Sequence, residues 1–123
     1  MTTTQHQLDL PTLVATFVAA IEARDADTLA AAYAEDAVVT LLDRDHPPSA
    51  PLTLTGREAI HEWYRDVCGR NVDHRVPVLV QDGGGFAFEE QCQYADGGRV
   101  VCVAVATVVD GLISRQTGSQ TWD

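Results

Sequence analysis

Residues 86–94 read Phe-Ala-Phe-Glu-Glu-Gln-Cys-Gln-Tyr and alternate between two kinds of side chain, as a β-strand does. The face that begins at Ala87 is small or polar, which is typical of a surface in water. The opposite face is apolar with one carboxylate in its middle, and it consists of Phe86, Phe88, Glu90, Cys92 and Tyr94. An unpaired buried carboxylate is costly, so such a group commonly finds a partner or lines a cavity. This stretch therefore predicts a sheet whose inner face carries one functional acid.

Turn signals on both sides divide the second half of the chain into four strands. Asp-Gly-Gly-Gly occupies 82–85, Asp-Gly-Gly occupies 96–98, and Asp110-Gly111 is a strong tight-turn pair. The predicted strands are residues 72–81, 86–94, 99–109 and 112–122. Strands joined by tight turns pair in antiparallel fashion, so the pattern predicts an antiparallel meander.

Helical periodicity dominates the first half. A helix is predicted over residues 10–24, with Asp9 as its cap, from the apolar spacing of Leu13, Val14, Phe17, Val18 and Ile21. A second, short helix is predicted over 27–34, and a first strand over 37–42. Residues 43–51 contain three prolines and are predicted to form a loop.

A third helix is predicted to follow this loop. Thr55-Gly56-Arg57-Glu58 has the form of a capping box, and Gly69 is a natural end for the helix. Helices followed by a meander predict an α+β fold, in which a curved antiparallel sheet is wrapped round three N-terminal helices. The length suits one domain over residues 1–123, with residues 1–8 flexible.

Composition excludes several classes of function. The formal net charge is -10, with eight arginines and no lysine, so nucleic acid is not an expected partner. No apolar run is long enough for a membrane span. The three cysteines form no metal or redox motif and predict free thiols in a reducing cytoplasm. Residues 43–46, Asp-Arg-Asp-His, offer metal ligands, but nothing completes a site at a recognisable spacing, so we predict neither metal nor cofactor.

Five segments carry a resemblance to a known family: Phe17-Val18-Ala19-Ala20-Ile21, Asp25-Ala26-Asp27-Thr28-Leu29, Tyr33-Ala34-Glu35-Asp36-Ala37, Thr55-Gly56-Arg57-Glu58-Ala59-Ile60-His61-Glu62-Trp63-Tyr64 and Asp110-Gly111-Leu112-Ile113. In this order they resemble the nuclear transport factor 2-like superfamily, which includes ketosteroid isomerase-like and SnoaL-like polyketide cyclase-like proteins. The resemblance covers most of the chain and implies a cone-shaped α+β barrel with an apolar pocket. It also implies a homodimer through the outer sheet face. The superfamily includes enzymes of several types and non-enzymes, so the fold alone assigns no reaction.

Only part of the ketosteroid isomerase-like site is matched. Two pocket tyrosines of those enzymes fall at Tyr33 and Tyr64. Their oxyanion-hole tyrosine falls at Phe17, and their general-base aspartate falls near Leu41, with Asp43 the nearest carboxylate. Their protonated aspartate falls in the strand that carries Val103, Val105 and Thr107. Steroid isomerisation by the usual residues is therefore not expected.

Counting outward from the turns predicts which strand residues lie opposite each other. About Asp96-Gly97, Glu90 pairs with Val103, and about Asp110-Gly111, Val103 pairs with Gly118. One concave face is then expected to carry Phe88, Glu90, Cys92, Val101, Val103, Val105, Gln116, Gly118 and Gln120. An apolar surface with a few converging polar groups is the usual form of a small-molecule site. If the register is shifted, Glu90 instead reaches solvent at the pocket rim or at a subunit contact.

Glu90 is the first candidate for a catalytic acid or base, or for the polar anchor of a ligand. His74 is a candidate base or proton shuttle, or else a hydrogen-bonded histidine at a strand end. Tyr33 and Tyr64 are candidate donors to a developing oxyanion, or else core residues with satisfied hydroxyls. Asp43 is a further catalytic candidate. The expected ligand contacts are Phe17, Trp63, Phe88, Cys92, Val103, Val105, Gln116 and Gln120.

Together these residues favour a small, cofactor-independent enzyme acting on a hydrophobic small molecule. The reaction would be an acid–base isomerisation, dehydration, cyclisation or epoxide opening. The alternative is a non-catalytic ligand-binding or dimeric assembly module on the same cone. An enzyme needs the Glu90 carboxyl within reach of the reacting atom of its ligand, whereas a binding module needs only a complementary shape.

Overall fold

The computed structural model describes residues 8–123, so the predicted flexible segment 1–8 lies outside it except for Leu8. Three helices and six strands follow in the order α1 (Leu10–Ala23), α2 (Ala26–Ala31), β1 (Tyr33–Leu42), β2 (Leu52–Thr55), α3 (Arg57–Cys68), β3 (Val72–Asp82), β4 (Gly85–Tyr94), β5 (Arg99–Val109) and β6 (Leu112–Trp122). Within the described residues, no helix combines the length and the apolar character that a membrane crossing requires.

The strands form one curved, unclosed sheet in the order β2-β1-β6-β5-β4-β3. The predicted meander β3-β4-β5-β6 is present, and the helices pack against the inner face of the sheet. The predicted α+β class, with a curved sheet round helices, is confirmed. The prediction that the sheet is antiparallel throughout was wrong, because β1 pairs with β6 in parallel.

The first helix forms as its sequence predicts. Asp9 caps it by accepting a 2.8 Å hydrogen bond from the Thr12 amide, and Pro11 lies in the first turn, where no amide hydrogen is needed. The second helix is shorter than predicted, since it ends at Ala31 and Tyr33 already belongs to β1. The Ile113 amide of β6 donates to the Ala32 carbonyl (2.8 Å), so sheet pairing overrides the helical pattern here.

The third helix ends at Gly69 as predicted, but the predicted capping box does not form. Thr55 belongs to β2 and pairs with Val38, and Gly56 becomes the N-cap with φ of 92° and no side-chain cap hydrogen bond. The Gly56 amide donates to the Ala37 carbonyl at 2.8 Å. A positive φ suits glycine, so this position turns the chain from β2 into α3.

The strand pairing is irregular at three places: between Tyr33 and Val38 of β1 against β6, and at one β-bulge in each of β3 and β6. In β3 the pairing with β4 shifts between Arg75 and Val78, where Pro77 has no amide hydrogen to give to a ladder. The freed Val76 amide donates to the Glu22 carboxylate of α1 at 3.2 Å, which ties the first helix to the bulge. In β6 the extra residue is Ser114, whose hydroxyl donates to the Thr107 carbonyl at 3.2 Å.

The core lies between the helices and the inner sheet face. Its largest fully buried side chains are Tyr33, Phe17, Leu13, Leu29, Ile60, Ile113 and Val39. Toward the β4–β5 turn, the space between the sheet and α3 is not filled by side chains, and this space is the candidate site.

Candidate functional site

A cavity of about 310 Å³ lies between the inner sheet face and the helices. This volume is near the lower end of the range for small-molecule pockets. Its wall is formed by Ile21, Leu29, Leu41, Asp43, Leu52, Trp63, Tyr64, Val67, Cys68, Arg70, Val72, His74, Phe88, Glu90, Cys92, Tyr94, Val100, Cys102, Gln116, Gln120 and Trp122. Most of these side chains are apolar, and the sheet contributes the polar side chains of His74, Glu90, Gln116 and Gln120.

Glu90, His74 and Cys92 meet on that wall. Pairing of β3 with β4 places His74 directly opposite Cys92, and Glu90 lies two residues before Cys92 on the same face. His74 Nδ1 is 2.8 Å from Glu90 Oε2, and Cys92 Sγ is 3.4 Å from the same oxygen. The His74 side chain is 6% exposed and that of Glu90 18% exposed. The carboxylate therefore faces the cavity, with the histidine behind it.

The hydrogen bonds indicate how protons are shared in this cluster. The His74 ring and the Cys92 thiol can both donate to Glu90 Oε2 when the carboxylate is ionised and the imidazole proton is on Nδ1. The other ring nitrogen, Nε2, is buried and has no partner among residues 8–123. A bare lone pair is less costly there than an unpaired N–H, so this tautomer is the favoured one. Glu90 Oε1 has no partner among the described residues and is left free for a ligand.

Across the cavity, two tyrosines and an amide form a second polar chain. Tyr33 donates to Gln116 Oε1 at 2.6 Å, and its oxygen is 2.7 Å from the Tyr64 oxygen. The single hydroxyl hydrogen of Tyr33 is used on Gln116, so Tyr64 must donate to Tyr33. The Gln116 amide nitrogen is then free to donate toward a ligand. Parallel pairing of β1 with β6 brings Gln116 close to Tyr33, a contact that predicted antiparallel pairing alone did not provide.

Burial and the charge of Glu90 keep the neighbouring acids protonated. Burial, more than any other effect, raises the pKa of Tyr33 and of Tyr64, and the Glu90 charge adds to it. The same two causes raise the pKa of Cys102 to about 12 and raise the pKa of Cys92 well above its usual range. At neutral pH these hydroxyls and thiols are therefore hydrogen-bond donors rather than nucleophiles.

Removing one hydroxyl from the tyrosine chain should have a position-dependent cost. Tyr33→Phe leaves Gln116 Oε1 without its donor and Tyr64 without its acceptor, so we expect unfolding free energy to fall by about 1–3 kcal/mol. Tyr64→Phe removes one bond at the end of the chain and should cost about 1 kcal/mol. Urea unfolding of both variants measures the two losses in unfolding free energy. A larger loss in Tyr64→Phe than in Tyr33→Phe would contradict the proposed direction of the hydrogen bonds, from Tyr64 to Tyr33 to Gln116.

Asp43 lies at the cavity wall but its carboxylate is used within its own loop. Its Oδ1 accepts from the Asp45 amide and from His46 Nδ1, both at 2.9 Å. Burial opposes ionisation of Asp43, but these hydrogen bonds outweigh it and lower the pKa of the carboxyl. In the same loop, the guanidinium carbon of Arg44 lies 5.0 Å from the centroid of the Trp122 ring. Asp43 Oδ2 has no partner among the described residues, so the catalytic role predicted for Asp43 stays a prediction.

The structure brings most of the predicted site residues to the cavity. Those on its wall are Glu90, His74, Tyr64, Asp43, Trp63, Phe88, Cys92, Gln116 and Gln120. Tyr33 lies behind Tyr64 and Gln116 and is fully buried. Phe17 is also buried and packs behind Phe88, so it supports the wall rather than facing the cavity.

Val103 and Val105 were predicted on the wrong face. Both lie on the outer sheet face, 54% and 59% exposed, because Glu90 pairs with Cys102 instead of Val103. The predicted register places Tyr94 opposite Arg99, but Arg99 pairs with Gln93, and the Tyr94 amide donates to the Gly98 carbonyl at 2.8 Å. The turn inside that hydrogen bond therefore has three residues, 95–97, and the Gly97 φ is 97°. The predicted two-residue turn therefore gave a register one residue out.

The glutamines nevertheless face the cavity, because a second one-residue shift cancels the first. The register predicted from Asp110-Gly111 holds at Val108, and then the Ser114 bulge moves every later pair by one. Gln120 accordingly pairs with Cys102. The notch that the sequence predicts at Gly118, which has no side chain, is not open, since a Cβ there would lie 3.3 Å from Leu41.

Several cavity residues were missed by sequence reasoning. All three cysteines of the chain line the same cavity, whereas the sequence analysis treated Cys68 only as a free thiol and left Cys102 out of the concave face. Trp122 and Arg70 were also missed. No local signal indicated Cys102, because both faces of β5 are apolar.

Comparison with solved structures shows the same architecture. A nuclear transport factor 2-like protein of unknown function from Mesorhizobium loti has a TM-score of 0.80 at 19% identity, covering 94% of this chain and 97% of that one. A protein provisionally named as a ketosteroid isomerase, from Kribbella flavida, has a TM-score of 0.75 at 26% identity, covering 89% and 76%. One provisionally named as a polyketide cyclase, from Sinorhizobium meliloti, has a TM-score of 0.68 at 22% identity, covering 89% and 94%.

Sequence comparison places the chain within this class of cone-shaped α+β proteins. The profile of the SnoaL-like domain family matches residues 14–116, so the chain belongs to that family. The predicted resemblance to the nuclear transport factor 2-like superfamily is confirmed. Comparison with curated proteins finds no significant match.

Proposed function

We propose that this chain is a cofactor-independent enzyme that transfers protons on a hydrophobic small molecule held in the cavity. The observation that carries the proposal is the hydrogen bonding of the two Glu90 carboxylate oxygens. Its Oε2 is held by two donors, His74 and Cys92, while its Oε1 is left free on a largely apolar wall. A carboxylate oriented in this way is suited to act as a general base and then as a general acid.

In the proposed reaction, Glu90 Oε1 takes a proton from the ligand and returns it to another atom or to a leaving oxygen. His74 keeps its proton on Nδ1 throughout and holds the carboxylate in position. Gln116 and Gln120 line the same cavity, and their amide nitrogens would donate to the oxygen on which negative charge develops. Isomerisation, dehydration, cyclisation and epoxide opening all share this requirement for a base and nearby oxyanion donors.

The rest of the wall supports a hydrophobic ligand. Trp63 and Phe88 line the cavity, and Phe17 holds Phe88 in place through an edge-to-face contact with ring centroids 5.5 Å apart. Exclusion of water by such residues strengthens electrostatic contacts at the reacting atoms. The names of two structural neighbours, a ketosteroid isomerase and a polyketide cyclase, fit the same general class of chemistry. Leu41 lies near the position of the ketosteroid isomerase-like general-base aspartate, and Phe17 lies at the position of the oxyanion-hole tyrosine. Neither side chain can perform that role, so we propose a different base, Glu90.

A simple proton-abstraction probe tests this proposal on the unmodified protein. The ring of nitrobenzisoxazole opens when a base removes its heterocyclic C–H proton and the nitrogen–oxygen bond breaks. The single product is a coloured nitrophenolate that carries the new nitrile group. We expect a rate that saturates with probe concentration, because the reaction occurs in a cavity of finite affinity. A rate no higher than that of an equal concentration of free carboxylate would overturn the proposal and favour the alternative, a non-catalytic binding or assembly module.

We also propose that the chain forms a homodimer through the outer face of the sheet. Exposed valines lie on this face on β3 and β5, the two strands that flank β4, and they are Val78, Val80, Val101, Val103 and Val105. Neighbouring residues on the face are Ala87, Thr117 and Ser119, so its centre carries few charges apart from Glu89. An apolar surface of this kind is typical of an interface between subunits.

The dimer can be tested by placing charge on this face. The double variant Val103→Glu, Val105→Glu would bring four carboxylates into the interface, so we expect it to elute as a monomer in size-exclusion chromatography with light scattering. The matched control is Thr16→Glu on the exposed side of α1, which should not change the mass. A wild-type protein that is already monomeric at micromolar concentration would refute the dimer.

A cytoplasmic location fits the state of the cysteines. Cys68, Cys92 and Cys102 are all free thiols. Free buried thiols persist in reducing compartments. Cell fractionation with an antibody to the chain would test this part of the proposal, and recovery from a secreted or periplasmic fraction would reject it.

A further inference from the structure

We propose that His74, Glu90 and Cys92 form a binding site for Zn²⁺ on the cavity wall. Each residue offers one ligand atom, and these atoms all lie within 4.8 Å of one another. His74 and Cys92 are opposite each other on β3 and β4, and Glu90 is on the same face of β4. The three ligands are therefore held by a paired sheet rather than by a loop, and their positions are set before any ion arrives.

The spacing of the three atoms lets a single ion reach all of them. His74 Nδ1 and Glu90 Oε2 are 2.8 Å apart, and Cys92 Sγ lies 3.3 Å from the nitrogen and 3.4 Å from the oxygen. The point equidistant from all three atoms lies about 1.8 Å from each in their common plane. An ion displaced by about 1 Å from that plane would reach bond lengths of roughly 2.0–2.3 Å, which are those of zinc with nitrogen, oxygen and sulfur.

The chemistry of the ligand set points to the same ion. Imidazole, carboxylate and thiolate together match the mixed nitrogen, oxygen and sulfur preference of zinc, whereas calcium and magnesium prefer oxygen alone. Within residues 8–123, no arginine forms an ion pair with Glu90, and the chain has no lysine. The partly buried Glu90 carboxylate has no arginine or lysine partner among the described residues, and a divalent cation would balance its negative charge directly.

Three protein ligands leave one position of a tetrahedral ion open, and Glu90 and Cys92 both line the cavity. Ligating histidines commonly donate their other N–H to a carboxylate or carbonyl, and His74 Nε2 has no such partner among the described residues. We therefore expect an affinity on the order of micromolar, weaker than that of structural zinc sites. Ion binding requires the Cys92 thiol to release its proton to solvent and the His74 ring to carry its proton on Nε2 instead of Nδ1, so the metal-bound and metal-free forms are alternative states of the site.

Cobalt substitution tests this site directly, because a thiolate bound to Co²⁺ gives a near-ultraviolet charge-transfer band. The chelator-treated, full-length protein is titrated with Co²⁺ under reducing conditions, and then with Zn²⁺. We expect one Co²⁺ per chain, a charge-transfer band, and loss of the band as Zn²⁺ displaces the cobalt. Cys92→Ser should remove the band, and His74→Gln should weaken binding at least tenfold.

The other two cysteines supply matched controls, because they line the same cavity outside the cluster. Cys68→Ser and Cys102→Ser should keep the band at unchanged stoichiometry. Absence of a band in the wild-type protein would overturn the proposal, as would a band that survives Cys92→Ser and disappears in Cys102→Ser. Binding is measured without any substrate, so failure here leaves the proposed proton transfer intact, and failure of that reaction leaves the metal site intact.

Discussion

Glu90→Gln is expected to lower the turnover of nitrobenzisoxazole by a factor on the order of 10²–10⁴, the usual contribution of a positioned general base. Glutamine has nearly the same shape as glutamate and can still accept from the His74 ring, which is 2.8 Å from the native carboxylate. It cannot take up a proton at neutral pH. The loss should therefore appear in kcat, with little change in KM for the uncharged probe.

The neighbouring residue provides the control for this substitution. Glu89→Gln makes the same chemical change one residue away, but Glu89 points to the outer sheet face and its carboxylate accepts from the Gln91 side chain. We expect Glu89→Gln to retain full activity. Circular dichroism and thermal unfolding should show that both variants keep the fold. Equal activity of Glu90→Gln and the wild type would remove Glu90 from the mechanism, and equal losses in both variants would indicate a general electrostatic effect.

The fold was largely predictable because its elements carry clear local signals. The strands 99–109 and 112–122 match the observed β5 and β6, since strong glycine-containing turns bound each of them. The first helix has both a cap and an apolar stripe. Errors arose where long-range pairing overrides local preference. Tyr33 lies in a helical pattern by sequence, yet its backbone is committed to β1 by pairing with Ile113.

The inner face of β5 was not predictable, and the physical reason lies in its composition. Residues on both faces of this strand are apolar, so alternation of polar and apolar residues provides no information about which face is inside. Register then depends on the loops alone, and one additional loop residue at Gly97 exchanges the two faces. Val103 and Val105 were placed inside for this reason, whereas Cys102 and Ala104 are the buried residues.

The candidate site was predictable in part because its key acid lies on a strand with clear alternation. Glu90 could be assigned to the inner face without knowledge of the register, since Phe88 and Cys92 flank it on the same side. The partnership of Glu90 with His74 could not be derived, because it depends on how β3 pairs with β4 beyond the bulge at Pro77. A bulge reverses the facing of every residue on one side of it, and sequence spacing does not reveal where it occurs.

Phe17→Ala is expected to lower the unfolding free energy by about 3–5 kcal/mol, the usual cost of removing a fully buried aromatic ring. Phe17 is 1% exposed and makes edge-to-face contacts with Phe86 and Phe88, with ring centroids 5.4 and 5.5 Å apart. Phe17 also packs edge-to-face against Tyr33, with ring centroids 6.2 Å apart. Deleting the ring leaves a void that three neighbours, themselves packed against the sheet, cannot all fill.

The measurement is urea unfolding of the ligand-free protein, with Phe17→Leu as the matched variant, since leucine keeps most of the apolar volume and should lose much less stability. The result also decides between two roles for this residue. A side chain that only contacts a ligand would weaken binding on truncation and leave the ligand-free protein as stable as before. A side chain that holds the wall would destabilise the ligand-free protein first. Activity would then fall as a consequence, because Phe88 lines the cavity together with Glu90, and the Phe17 ring that holds Phe88 in place would be missing. An unchanged urea midpoint for Phe17→Ala would restore the sequence prediction that Phe17 is a ligand contact.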